Sequence, residues 1–379
     1  MKKQLTYADA GVDRDLGNEV SKILYHAAKM TWKNRKGRLG EVIVPFDDFS
    51  GVRAIDVSNL PAGTLVNMNF DGVGTKIEVA ERMQDHATIA YDLFAMVCDD
   101  AVVRGGEPVL VGSILDVNAL KDENRQPFMK EVKELARGYI DAAREANVAV
   151  VNGETAELGS RVCGFGNFNY NWGGAVLWFA RRERMLTGHE VQEGDYLMGL
   201  REEGFRSNGI SLARRVLAKE LGNEWQRKWI EHDIRVGEAL LRPSKIYAGA
   251  VVEMTGGYDG EAKAKVHGIA HITGGGIPEK LGRALKPASL GAVIEDAFAP
   301  NPLMLYCQRL GNVSDEEAYR TWNMGQGMII VTGEPEDVIK VAESRGIEAK
   351  VIGKVTKESG IKIKSEGCYK RGEYLSFNS

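Results

Sequence analysis

The sequence predicts a mixed α/β protein, of α+β type, built as two domains. Three observations carry that reading. Helical and strand patterns alternate along the chain, which suits neither a bundle nor a sandwich. The 379 residues fit two domains better than one or four, at about 100–200 residues per domain. Glycine occurs 44 times against 10 prolines, an excess that calls for turns and close backbone approaches.

Residues 16–33 carry apolar side chains at helical spacing, and 34–51 reads as loop. In 64–72, Val66, Met68 and Phe70 alternate with Asn67 and Asn69, so a strand with one apolar and one polar face delivers Asp71 at its end. Leu93, Met96, Val97 and Val103 predict a helix over 89–104, buried on one side and stopped by Gly105 and Gly106. A strand over 108–117, an amphipathic helix over 128–148 and a strand over 149–153 form a βαβ-like succession. After a further strand at 173–180 comes the basic run ARRERML, then a new strand at 195–200. The boundary is placed there, dividing the chain into 1–182 and 183–379. The second half shows a helix at 208–220 and a helix pair across 224–256. HGIAHI then enters a triple glycine ahead of a helix with Pro278 in its first turn, and strands at 326–332 and 348–355 bracket a helix at 335–345.

Composition excludes several classes. Hydrophobic residues at 44% and charged residues at 27% are ordinary for a globular domain. The 49 basic and 53 acidic side chains leave a charge of -4, with no global field for nucleic acid or acidic lipid. The four cysteines are scattered, without a CxxC pair, and read as reduced thiols. No stretch approaches the length of a membrane span, so neither a nucleic acid nor a membrane is an expected partner, and a cytoplasmic location is.

Five segments carry chemistry. FDGVGTK (70–76) places a carboxylate, two glycines, a hydroxyl and a lysine within one turn, the parts a polyphosphate with its metal needs; a tight turn with a solvated lysine is the plainer reading. It is not a Walker A loop. In YDLFAMVCDD, Asp92 and Asp99 lie about 20° apart around a helix, with Asp100 beside them. Three clustered carboxylates repel unless a cation intervenes, and magnesium is the economical one, against a helix cap with solvated acids. VNGETAELG (151–159) sets Gly153 and Glu154 at the carboxyl end of a strand, or in a glycine turn with exposed glutamates. HITGGG (271–276) exposes backbone donors at a helix start, suited to phosphate; His267 and His271 lack the HExxH context of a zinc pair. GFRSNG (204–209) offers Ser207 or Asn208 as a helix cap or a ligand contact.

In this order, and with YADAGVD (7–13) and EAYRTWNMGQGM (317–328), these segments resemble the phosphoribosylformylglycinamidine cyclo-ligase family, also called aminoimidazole ribonucleotide synthetases, over residues 7–356. HxTIxxDLxAM (86–96), GETAE, SNG and IAHITGGG complete the combination; related synthases and kinases share only some of it. The resemblance implies a two-domain synthetase-like fold, with an N-terminal domain pairing in a homodimer and a C-terminal domain covering the cleft. It implies ATP-dependent ring closure of formylglycinamidine ribonucleotide in purine biosynthesis, with Mg2+. Asp71, Lys76, Asp100 and His271 are then the catalytic candidates, with no single base singled out. Gly72, Gly74, Thr75, Asp92, Asp99, Gly153, Glu154 and Thr155 would bind nucleotide, with Asp71, Asp92, Asp100 and Glu154 holding metal. Ser207, Asn208, Gly209, Thr273, Gly274, Gly275 and Gly276 would face the phosphoribosyl substrate. A related ATP-dependent kinase or synthetase, or a silent nucleotide-binding protein, are the alternatives.

Two departures stand out. Members usually carry a GGFGG-like segment where this chain has VPFDDFSGV, with Asp47, Asp48 and a single Gly51. They commonly have histidine where Arg206 precedes SNG, and a guanidinium does not titrate near neutrality.

Overall fold

The computed structural model describes residues 12–44, 52–230 and 234–378. The loop at 45–51 and most of YADAGVD lie outside them.

The first half is a four-stranded sheet with helices on one face. In chain order it comprises α1 (Arg14–Thr31), β1 (Thr64–Gly72), α2 (Ile77–Met83), α3 (Ile89–Val102), β2 (Glu107–Val117), α4 (Met129–Ala146), β3 (Ala149–Glu157) and β4 (Tyr170–Arg181). The strand order is β1-β4-β2-β3. Only β2 and β3 run parallel, joined by the α4 crossover that the βαβ pattern predicts. Asp13 caps α1, its carboxylate accepting from Leu16 N at 3.2 Å.

The second half comprises β5 (Tyr196–Arg201), α5 (Ile210–Leu221), a small hairpin of β6 (Trp229–Ile230) and β7 (Ile234–Arg235), α6 (Val236–Leu241), α7 (Ala248–Thr255), β8 (Gly268–His271), α8 (Gly276–Leu285), β9 (Gly291–Ile294), α9 (Pro302–Gly311), α10 (Asp315–Thr321), β10 (Gln326–Thr332), α11 (Pro335–Ser344), β11 (Ala349–Thr356), β12 (Ile361–Lys364) and β13 (Tyr374–Phe377). Seven strands form one sheet in the order β13-β12-β9-β11-β5-β10-β8. β10 is buried along its whole length, which explains its unbroken apolar run. A single hydrophobic core runs from α3 and α4 through α7 into this sheet, so the halves share an interior.

Four sequence expectations change. The β1 alternation is present, but its apolar face is the open one: Phe70 is 73% exposed, and Val66 and Met68 are also exposed. On the polar face only Asn69 is half-buried, accepting from Trp178 Nε1 at 2.5 Å, while Asn67 and Asp71 are exposed. The helix α3 is buried on nearly all sides rather than one, because α4, α7 and β1 pack around it. The third strand runs on to Glu157, because β2 supplies ladder partners beyond Gly153. The helix pair at 224–256 is preceded by the β6–β7 hairpin. The periodicity also left β9, α9, α10, β12 and β13 unread, all four-strand-residue or short helical segments.

Candidate active site

The site is organised by α3, which runs along the junction of the two halves. Asp92 and Asp99 are both fully buried in it. A buried carboxylate needs a cation and donors, and here the protein supplies them at every oxygen but Asp92 Oδ2, which is buried without a hydrogen-bond partner. Asp92 Oδ1 accepts from Lys76 Nζ at 2.8 Å and from Ser244 Oγ at 2.5 Å. Lys76 Nζ also donates to the Arg242 carbonyl at 2.6 Å. Two helical turns on, Asp99 Oδ2 pairs with Arg206 Nη2 at 3.0 Å, while its Oδ1 accepts from Tyr247 N and Ala248 N at 2.8 Å each. Those amides open α7, so an acid from the first half caps a helix of the second. Burial pushes the Asp99 carboxyl upward, opposed by the charge of Arg206.

The cations between the acids are therefore Lys76 and Arg206. That arrangement corrects two expectations: Lys76 is enclosed on Asp92 rather than presented to a nucleotide, and Asp92 and Asp99 already have their counter-charges.

Asp100 and Asp71 remain towards the cleft. Asp100 accepts from His271, whose Nδ1 lies 2.7 Å from its Oδ1. Burial raises the Asp100 carboxyl, but the hydrogen bond and electrostatic pull of His271, followed by the charges of Lys280 and Arg206, outweigh it, and the net shift is downward. Asp71 shifts the other way: desolvation lifts it, the Gly72 N–H at 2.7 Å opposes, and the charge of Asp100 adds to the rise. The two carboxylates thus feel each other, and Lys280 lies near both.

The far wall is built by two helix starts. His271 ends β8, and the glycines 274–276 turn the chain into α8, whose first turn has no side-chain cap. At Gly276 (φ 61°) a Cβ would lie 1.9 Å from the Tyr319 carbonyl, so only glycine fits. Gly209 (φ 75°) opens α5 in the same uncapped way, with no room for a Cβ beside Trp322. Between the two starts, Ser207 Oγ and Asn208 Oδ1 are buried without a hydrogen-bond partner. Asn208 faces Gly274. Thr75 Oγ1 lies 2.9 Å from Ser211 Oγ, joining the FDGVGTK loop to α5.

Glu154 does not join this group. The register aligns Asp71, Gly174, Ser113 and Gly153 across the sheet, which is three strand spacings, about 14 Å. Glu154, one residue on, points to the opposite face beside Ile114. Gly153 and Thr155 line a separate cavity of about 320 Å³ between α1 and the sheet, walled by Tyr25, Tyr139 and Trp172. His267 pairs with Asp195 at 2.8 Å as a buried structural histidine. Sequence reasoning missed Lys280, Ser244 and Glu202; the sole signal for Lys280 was its place one turn into the helix after HITGGG.

Family models place the chain among the AIR synthase related proteins. A family model described as "AIR synthase related protein, N-terminal domain" matches residues 53–168, and its C-terminal counterpart matches 192–366. The phosphoribosylformylglycinamidine cyclo-ligase of Syntrophotalea carbinolica is 32% identical over 94% of this chain and 96% of its own. The chain belongs to the phosphoribosylformylglycinamidine cyclo-ligase family. Solved structures share the fold at lower identity. The thiamine-monophosphate kinase of Stenotrophomonas maltophilia aligns with TM-score 0.59 and 13% identity over 93% of this chain and 97% of that one. A hydrogenase maturation protein HypE in complex with ATP aligns with TM-score 0.56 and 14% identity, over 86% of this chain and 88% of that one.

Proposed function

We propose that the protein closes the imidazole ring of aminoimidazole ribonucleotide, using ATP to phosphorylate the formyl oxygen of formylglycinamidine ribonucleotide. An amidine nitrogen then attacks the activated carbon and phosphate leaves; activation is needed because an amide oxygen departs poorly. The observation that carries this reading is the coupling of Asp71 to Asp100, with His271 and Lys280, on either side of the uncapped start of α8, acting on both.

Phosphoryl transfer asks a protein for alignment and charge neutralisation, with no covalent nucleophile of its own. Among the described residues no cluster of three or more acidic, histidine or cysteine side chains forms a metal cage. Two carboxylates fit magnesium all the same, since that ion is held by one or two carboxylates together with substrate phosphates. Asp71 and Asp100 would hold it, and bound magnesium would offset the charge of the transferring phosphoryl group. Lys280 adds positive charge on the same side. The first-turn amides of α5 and α8 suit phosphate oxygens, and the orphaned Ser207 Oγ and Asn208 Oδ1 suit the substrate's polar groups. His271 holds its Asp100 partner in place. The test is product formation: incubation with ATP, Mg2+ and formylglycinamidine ribonucleotide should yield ADP and aminoimidazole ribonucleotide in equal amounts. ADP release with a different substrate, such as thiamine monophosphate, and none with this one would select the kinase alternative.

Division into 1–182 and 183–379 is part of the proposal, as is a cytoplasmic location; no helix of the described residues is long and apolar enough to cross a membrane. So is a homodimer. Val66, Met68, Phe70 and Ile114 are exposed on one face of the N-terminal sheet, and a contiguous apolar patch of this kind suits a partner copy. Glu154 lies on that face, so its route to a nucleotide runs through such pairing. Phe70→Asp should convert a dimer to monomer in sedimentation velocity.

A further inference from the structure

We propose that Arg206 is a positioning residue for Asp100, acting through His271 across the junction of the two halves. The proposal rests on the phosphoryl-transfer reading of the cleft. Arg206 is 1% exposed and has φ 61°, a backbone conformation unusual for a side chain of its size. Its guanidinium reaches four partners. Nη1 donates to Glu202 Oε2 and to the Lys245 carbonyl, each at 2.9 Å. Nη2 donates to Asp99 Oδ2 at 3.0 Å and lies 2.8 Å from His271 Nε2.

A guanidinium has only hydrogens to offer and no acceptor. His271 Nε2 must therefore accept. The one proton of the neutral ring then sits on Nδ1, which is 2.7 Å from Asp100 Oδ1 and donates to it. The direction of every bond in the chain Arg206–His271–Asp100 follows from the arginine. With Nε2 protonated instead, a bare Nδ1 would face the Asp100 carboxylate, lone pair against lone pair. Glu202 and Asp99 pair the arginine's own charge, and beyond the direct pull of that charge on Asp100 its orienting effect passes through the imidazole. A partner that fixes a histidine tautomer in this way governs the group beyond it.

The experiment reads the tautomer directly. Full-length protein labelled with 15N-histidine is examined by long-range 1H–15N correlation, with His271→Gln assigning its signals among the six histidines. The expected spectrum has His271 protonated on Nδ1 and bare on Nε2. In Arg206→Met the Nε2–H form should appear and kcat should fall about 10–100-fold, with KM for ATP changed less than kcat; Arg206→Lys, which keeps a donor, should recover part of both. A wild-type spectrum with a proton on Nε2 overturns the proposal, even if Arg206→Met fails to fold. An unchanged tautomer in a folded Arg206→Met variant also overturns it. A protein with the Nδ1–H tautomer that turns over no formylglycinamidine ribonucleotide upholds the positioning and sinks only the assignment of the reaction.

Discussion

Asp92 and Asp100 sit on the same helix and look alike in the sequence, yet the fold puts them in opposite conditions. Asp92 is 0% exposed, with Lys76 and Ser244 closing around it. The Asp100 side chain is 38% exposed, and its partner is the His271 ring, whose Nδ1 lies 2.7 Å away. One carboxylate joins the two halves of the molecule; the other stays partly exposed and is the one proposed to meet a ligand. The difference teaches that clustering acids is not by itself evidence of a metal site, because a neighbouring element can bring the cation. What sets the proposed functional acid apart is that its side chain stays partly exposed.

That contrast can be broken by substitution. The largest effect is expected from Asp92→Ala, which leaves the buried Lys76 ammonium unpaired. It should lower unfolding free energy by about 3–5 kcal/mol, read by denaturant titration. If the loss is below about 1 kcal/mol, the Lys76–Asp92 pair and its bonds to Ser244 and Arg242 do not hold the halves together. Asp71→Asn and Asp100→Asn should do the reverse. Each should cut kcat about 10²–10³-fold while the denaturation midpoint stays near the parent's, and folded variants with unchanged kinetics would remove those acids from the site.

A third buried group, just ahead of the same helix, sharpens the comparison through pH. His86 is held against Tyr170, 2.9 Å from Nδ1 to the hydroxyl, and burial lowers its pKa from 6.5 to about 4. Between those values the unfolded chain binds a proton that the folded one refuses. Stability is therefore complete above pH 6.5 and is lost as pH falls towards 4, by up to about 3 kcal/mol. His86→Phe should flatten that part of the stability curve relative to the parent; parallel curves would show that the ring titrates normally. The smallest effect is expected at Ser244→Ala. Loss of its bond to Asp92 should cost about 1.5–3 kcal/mol, at the low end because Lys76 stays in place, with kcat unaltered.

Much of this was legible beforehand. The β1 segment runs from Thr64 to Gly72 as its alternation predicts. The βαβ unit of β2, α4 and β3 closes in parallel as expected. Some of the motif residues also meet across the chain, Asp100 with His271 and Asn208 with Gly274. Segments of four strand residues, such as β9 and β12, escaped notice because so short a run carries too little periodicity to distinguish strand from loop.

Residue order by itself determined which segments alternate, where glycines permit sharp turns, and which acids stand close along one helix, because these follow from local sterics and from the 3.6-residue and two-residue repeats. Only the tertiary structure decided that the apolar face of β1 would be open, that Lys76 and Arg206 would answer Asp92 and Asp99, and that Glu154 would lie on the far face of the sheet from Asp71. Those outcomes depend on contacts between residues far apart in the chain. Charge pairing and burial are properties of the neighbours that folding brings together, and no local pattern specifies them.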